Sequence, residues 1–294
     1  MTTMIIVMQR QASEIEINQV VQFIHQRGLT EHISRGKERT IIGAVGDERV
    51  FQPRELEALS GVEKAMRVVQ DWRIISREIQ PENTVITVRA FPFGAGQTQF
   101  VSTVMPDHKL PNSNSIFIDP FYQSPSPYTI NHKNSQQQQL SNMQQQIKLA
   151  HQNNKPVWLR IRDVRQLEHA LQAEADIIYL GGELMSNQTL LDEVGYLNVP
   201  VVLCKDKHHQ IDDWLIAAEH IALKGNHHIM LGEAGTLSLE RNAPYRLDIE
   251  AIVKAKKITH LPIVANISHL AHAYMDKSTL LALAKAAGAD IIIQ

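Results

Sequence analysis

Three apolar runs end in side chains of the kinds that bind anions, move protons or ligate metals. Residues 200–206 (PVVLCKD) end on Lys205 and Asp206, residues 228–235 (HIMLGEAG) carry Glu233, and residues 261–269 (LPIVANISH) end on Asn266, Ser268 and His269. A lysine, a carboxylate and an imidazole brought to one place could hold a phosphate or carboxylate and exchange protons with it. Other groups have duller readings. Cys204 is the single cysteine, so there is no disulfide framework and no thiolate metal cluster, and its apolar neighbours suit a buried, inert thiol. His208 and His209, like His227 and His228, are adjacent, and neighbours on a strand face opposite ways; they read as solvated positions. Residues 94–96 (GAG) are too short and lack the context for a phosphate loop.

The elements that must position these groups follow from periodicity. A short all-apolar run bounded by turn signals reads as a strand buried on both faces, as parallel strands are. Between the three runs, residues 212–223 (DDWLIAAEHIAL) and 247–257 have apolar residues at helical spacing, the first opened by aspartates and closed by Gly225. Strand and helix alternating in this way imply a parallel α/β sheet, whose chemistry lies at the carboxyl ends of its strands. Lys205, Asp206, Glu233, Asn266, Ser268 and His269 would then share one mouth.

Upstream, residues 4–9 predict a strand and Ser13 caps a helix with the stripe Ile17, Val20, Val21 and Ile24, closed by Gly28. Residues 29–45 predict a hairpin turning at Gly36, Pro53 opens a helix to about residue 69, and residues 72–75 predict a fourth strand. That β-α-β-β-α-β order is the ferredoxin-like plan. A polar connector over 76–98 leads to a second domain at 99–294, with strands at 100–104, 115–119, 157–161, 176–180 and 291–293, and helices at 164–173, 188–194 and 278–287. The glutamine-rich tract at 136–146 predicts a solvated helix, because Leu140, Met143, Ile147 and Ala150 keep helical spacing. Between residues 104 and 115, Pro106 and Pro111 leave no room for a helix. No helical segment follows the last strand.

With 294 residues, 44% of them apolar and 20% charged, the chain can bury a large core. A net charge of −2 argues against nucleic acid or an anionic membrane as partner, and no apolar run approaches the roughly 18 residues of a membrane span. The amino-terminal apolar segment is too short and too weakly flanked by positive charge for a signal peptide. The expected location is cytoplasmic.

Residues 259–269 (THLPIVANISH) resemble the T-H-L-P-V-I-V-D-P-S-H strand of type I 3-deoxy-7-phosphoheptulonate (DAHP) synthases, the first enzymes of aromatic amino-acid biosynthesis in the shikimate pathway. Residues 212–242 resemble their E-W-L-x-A-A-E-Y-I, G-N, L-x-E-R-G and T-R-N signatures. Residues 34–47 (SRGKERTIIGAVGD) resemble the amino-terminal regulatory domain of one subclass. The resemblance implies a TIM-type (β/α)8 barrel, here without its first and last helices, behind a ferredoxin-like α+β domain at residues 1–75. It implies condensation of phosphoenolpyruvate with erythrose 4-phosphate, assisted by a divalent metal and by Lys and Arg that hold two phosphates and a carboxylate.

Against those motifs the chain departs at the site. Of the Cys, His, Glu and Asp metal ligands of the family only His269 has a counterpart, and one ligand does not hold a divalent ion against water. K-P-R-T-S-P-Y-S is replaced by residues 122–129 (YQSPSPYT) and G-A-R-N-M-Q-N by residues 181–187 (GGELMSN), with Glu183 in place of Arg. L-L-K-R-G becomes residues 203–206 (LCKD), and E-R-G becomes residues 233–235 (EAG). Each lost cation forfeits about 1.5–3 kcal/mol of anion binding.

The resemblance therefore leaves Lys205, Glu233 and His269 as vestigial catalytic groups and Asn187, Arg241 and Ser268 as substrate-binding groups. His32, Ser34, Gly36, Arg39 and Thr40 match the effector motif that binds tyrosine or phenylalanine; the same RGKER run equally suits a charged hairpin kept for folding. The expected function is a catalytically impaired regulatory or structural subunit without a cofactor, partnered by its own copies or by a synthase chain. The alternative is an active, metal-dependent synthase using Lys205, Glu233, Arg241 and His269. Loss of two adjacent barrel helices would also bare an apolar patch near residues 100–104 and 291–293, which a second chain would cover.

Overall fold

The computed structural model describes residues 3–36, 39–46, 52–68, 72–104, 110–122, 128, 136–241 and 243–294. The amino-terminal unit runs β1 (Thr3–Met8), α1 (Glu14–Gln26), β2 (Thr30–Arg35), β3 (Thr40–Val45), α2 (Pro53–Glu57) and β4 (Val62–Val68). Its antiparallel sheet has the order β2-β3-β1-β4, the ferredoxin-like arrangement. Ser13 and Glu16 form a capping box at the start of α1, and Pro53 occupies the first turn of α2, where its missing N–H costs nothing.

Alternation along β1 divides its side chains between two cores. Met4, Ile6 and Met8 pack with Ile17, Val20 and Ile24 of α1 and Leu56 of α2, while Ile5 and Val7, with Ile41, join the outer layer of the second domain. The fourth strand is Val62–Val68, not 72–75, and α2 is correspondingly short. Gly61, at φ 79°, ends the turn after α2, and the segment beyond pairs antiparallel with β1. Trp72, Ile74 and Ile75 instead pack onto the second domain, where Ile75 O accepts from His260 N and Arg77 N donates to Ile258 O.

The connector is less polar in effect than its composition suggests. It forms a hairpin, β5 (Ile86–Val88) and β6 (Phe91–Phe93), whose two central residues Arg89 and Ala90 both have positive φ (45° and 68°), as a type I′ turn requires. Ile86, Val88 and Phe93 plug the amino-terminal end of the barrel, with Phe93 set edge-on to Trp158 at 5.0 Å.

Eight parallel strands close the barrel in the order β7 (Gln99–Thr103), β8 (Ile116–Ile118), β9 (Val157–Ile161), β10 (Ile177–Leu180), β11 (Val201–Cys204), β12 (Ile229–Glu233), β15 (Ile263–Asn266) and β16 (Ile291–Ile293). A small ribbon, β13 (Thr236–Leu237) with β14 (Tyr245–Arg246), extends above β12. The helices are α3 (Gln136–Gln152), α4 (Gln166–Gln172), α5 (Gln188–Tyr196), α6 (Ile211–Leu223), α7 (Ile249–Ile258) and α8 (Lys277–Ala287). The glutamine tract is thus helical, and buries Met143, Ile147 and Ala150. Period-2 alternation points Val101, Phe117, Trp158, Tyr179, Val202, Cys204, Met230, Val264, Ile291 and Ile293 into the barrel and the intervening residues outward.

No helix separates β7 from β8 among the described residues; residues 105–109 lie outside them. The bare patch expected beside that gap is not present on the described surface. Ile291 and Ile293 face the barrel interior, Ile292 is fully buried in the layer that contains Leu280 and Ala284 of α8, and Lys285 covers the ring of Phe100 at 5.0 Å. Ser102, the other outward residue of β7, is polar. No described helix is long and apolar enough to cross a membrane.

Candidate functional site

The carboxyl ends of the strands surround a cavity of about 260 Å³ lined by Arg160, Tyr179, Glu183, Lys205, Asp206, Lys207, Asn266 and His269, among others. Alternation along β9 carries Arg160 and Arg162 to the mouth on the same face as Trp158. Arg160 Nη2 donates to both oxygens of Glu183 at 2.8 and 3.1 Å. Asp119, just past β8, accepts from Arg162 Nε at 2.9 Å and Nη2 at 2.5 Å, and lies 3.8 Å from Arg160 Nη1. Burial opposes the charge on Arg160, but Glu183 and Asp119 more than offset it and raise its pKa; burial likewise opposes ionisation of Glu183, which Arg160 outweighs, so that carboxyl is lowered. The two arginines and two carboxylates therefore neutralise one another.

Under the mouth the polar groups are spent on each other. Asn266 Nδ2 donates to Tyr179 Oη at 3.1 Å, and the Cys204 thiol, pushed up to about 12 by burial, sits against the same oxygen. Asn266 Oδ1 accepts from Ser268 N and Oγ, at 3.2 and 2.6 Å. Ser268 is thereby used in a local turn, and it does not line the cavity.

Lys205, only 2% exposed in its side chain, places Nζ 3.3 Å from Asp248 Oδ2 and donates to Asp206 O at 3.3 Å. Glu233 is fully buried; its Oε1 accepts from Gly235 N at 2.7 Å, while Oε2 has no hydrogen-bond partner. Burial, reinforced by the Asp248 carboxylate, raises its pKa to about 7 against the backbone hydrogen bonds and Lys205. His269 is lowered, first by burial and then by Arg160, Arg162 and Lys207, with Asp119 opposing. Its ring stacks on Tyr122 at 6.5 Å, and Arg162 lies over the other ring at 5.0 Å.

Of the residues expected at the site, Lys205 and His269 line the mouth, with Glu233 buried next to its lining residues Ala234 and Gly235. Asn187 is instead the N-cap of α5, accepting from Leu190 N at 3.1 Å. Arg241 is exposed on the β13–β14 loop and does not line the cavity. Most of the 122–129 segment lies outside the described residues. Arg160, Arg162, Asp119 and Tyr179 were missed by motif comparison; the signal was the i, i+2 spacing of the arginines at the end of an apolar strand. In the amino-terminal unit, His32 and Ser34 line a second cavity of about 190 Å³ against α6, with Ile5, Ile41, Arg73 and Glu219. Arg39, expected to hold a ligand carboxylate, is 3.0 Å from Glu63. Gly36 and Thr40 flank the hairpin turn, whose residues 37 and 38 are outside the described residues.

The divalent metal implied by the motifs does not fit the described residues. No group of three His, Cys, Asp or Glu among them could hold an ion. A divalent ion at His269 would find too few ligands to replace its water.

The matches to known proteins span both units. Residues 4–70 match the DAHP synthase ferredoxin-like domain, and residues 130–292 match the DAHP synthetase I family. The chain is 29% identical over 279 residues to the phospho-2-dehydro-3-deoxyheptonate aldolase of Thermotoga maritima, spanning 90% of this chain and 80% of the relative. The crystal structure of phospho-2-dehydro-3-deoxyheptonate aldolase (DAHP synthase) from that organism superposes with a TM-score of 0.65 at 28% identity, covering 99% of this chain and 86% of the other. A truncated 3-deoxy-D-arabino-heptulosonate 7-phosphate synthase from the same organism shares the fold, with a TM-score of 0.62 at 24% identity over 76% of this chain and 84% of that one. With the family model matched over more than half its length, behind a ferredoxin-like domain of the same lineage, the chain belongs to the DAHP synthetase I family.

Proposed function

We propose that this chain is a regulatory or structural member of the family, which does not condense phosphoenolpyruvate with erythrose 4-phosphate at an enzyme's rate. One observation carries the reading: Arg160 and Arg162, the cations best placed to receive a phosphate, are closed by Glu183 and Asp119 within the chain itself. The misfit of the described residues to a divalent ion supports it. The regulatory role is assigned to the ferredoxin-like unit, with tyrosine or phenylalanine, or a synthase chain, as the partner it takes up.

A coupled assay with both substrates and added manganese tests the reading. The expected result is no turnover above that of His269→Ala, with metal content after dialysis well below one ion per chain. Turnover at about 1 per second or faster, within the ordinary enzyme range, overturns it in favour of an active synthase that works through Lys205, Glu233, Arg241 and His269.

Removing Glu183 gives a complementary result. Glu183→Ala leaves Arg160 charged, with its Nη2 open to an anion and Asp119 still 3.8 Å from Nη1, and a charge-assisted contact there contributes about 1.5–3 kcal/mol. Inorganic phosphate is expected to bind at least about tenfold more tightly to the variant, as read by calorimetry at low salt. Equal affinities would show that Glu183 does not close the mouth to anions.

A further inference from the structure

The ferredoxin-like unit is joined to the barrel through a seam rich in buried ionisable groups. Ile5, Val7 and Ile41 supply its apolar contact. Ser34 Oγ donates to Ala222 O at 3.1 Å, and Glu219 of α6 accepts from Ile74 N and Ile75 N at 2.9 and 3.2 Å. Two histidines complete the seam. His260 is held on both nitrogens, 2.8 Å from Ile74 O and 2.6 Å from Thr84 Oγ1. His227 is not: its Nε2 is buried with no hydrogen-bond partner, and its ring is packed so closely on Gly36 that a Cβ added there would lie 2.6 Å from it.

We propose that this seam is an acid-released latch, in which a proton taken up by His227 drives the ferredoxin-like unit off the barrel. An imidazolium at that position has an N–H at the buried Nε2 with nothing to accept it. Release hydrates it. The latch rests on the seam's geometry and holds for either reading of the barrel mouth.

The charged groups around the seam set the direction of the response. His227 is lowered by burial and then by His228 beside it; His260 is lowered to about 4 by burial, with Arg77 and His227 adding to the effect against its bond to Ile74. His260 holds the connector to the barrel, and His227, packed on Gly36, favours docking of the ferredoxin-like unit while neutral. That contribution is complete above the ordinary imidazole pKa of 6.5 and is lost as pH falls below it. Glu219 acts oppositely: burial raises it against the N–H groups of residues 73–75 and the charge of Arg73, so its own hold on the connector does not weaken on acidification. Glu219 and His260 hold residues 74, 75 and 84, which stay on the barrel, so His227 sets the response: release takes up at most one proton and weakens docking by up to about tenfold per pH unit.

The seam also carries a built-in reporter. Trp72 is buried at the junction, whereas Trp158 and Trp214 are fully buried in the barrel. Titration of the full chain from about pH 8 to about pH 5, followed by tryptophan emission and small-angle scattering, tests the latch across the imidazole range. The expected result is a reversible red shift with an increased radius of gyration and unchanged far-ultraviolet dichroism. His227→Gln and His227→Asn, which cannot take up a proton, should lower the slope by about one proton and keep the units docked on acidification. The proposal is overturned if the wild-type chain shows neither change, if helical dichroism is lost with the signal, or if folded His227 variants titrate like the wild type. The wild-type titration alone decides the matter should both variants fail to fold.

Discussion

Glu219→Ala is expected to loosen the whole junction between the two domains and to lower stability by roughly 2–6 kcal/mol, from two buried N–H groups left without acceptors. The carboxylate is almost wholly buried in α6 and is the acceptor for Ile74 N and Ile75 N. The mechanism is an orphaned donor pair, not a lost charge pair. Glu219→Gln is therefore expected to be costly too, because its amide must turn an N–H₂ toward one of the same donors, but less so than Ala. Urea denaturation of both variants checks the order. A loss below about 1 kcal/mol for Ala, smaller than one orphaned donor, would show that the linker finds other acceptors.

Glu233→Gln is expected to stabilise the protein at alkaline pH. The folded carboxyl lies at about 7 against its ordinary 4.5, so the native state holds this proton more tightly than the unfolded chain does. Stability then falls as pH rises from about 4.5 through about 7, a loss on the order of 3 kcal/mol once the group is ionised in both states. Glutamine keeps the acceptor for Gly235 N and replaces the unpartnered Oε2 with an N–H₂, beside the Asp248 carboxylate that raises the pKa of Glu233. The two proteins should be nearly equal near pH 4, and the variant should be the more stable by up to about 3 kcal/mol at pH 8. Parallel stability curves across that interval would contradict the assignment of the pH dependence to Glu233.

The sequence by itself determined the chain of elements and the family. The apolar runs ahead of Lys205, Glu233 and Asn266 read as buried parallel strands because nothing polar interrupts them, and their alternation with amphipathic helices implied a parallel α/β sheet; the barrel came from the resemblance of residues 212–242 and 259–269 to a known family. Period 2 in β1 and helical spacing in α1 and α3 were legible for the same reason. Local pattern failed where two periods compete over few residues: residues 53–69 read as one long helix, yet Gly61 breaks them and residues 62–68 pair with β1. Only tertiary structure decided what becomes of the charges. Asp119, Arg160, Arg162 and Glu183 lie on three different strand ends, and closure of the barrel makes them one neutral cluster, a cancellation that counting lost motif cations does not reveal. It also decided what covers Ile292 and Phe100, which are buried or covered by neighbours that only the folded layer brings near. The physical reason is range: periodicity reports which face of an element avoids water, while pairing and pKa depend on side chains that the fold assembles from distant parts of the chain.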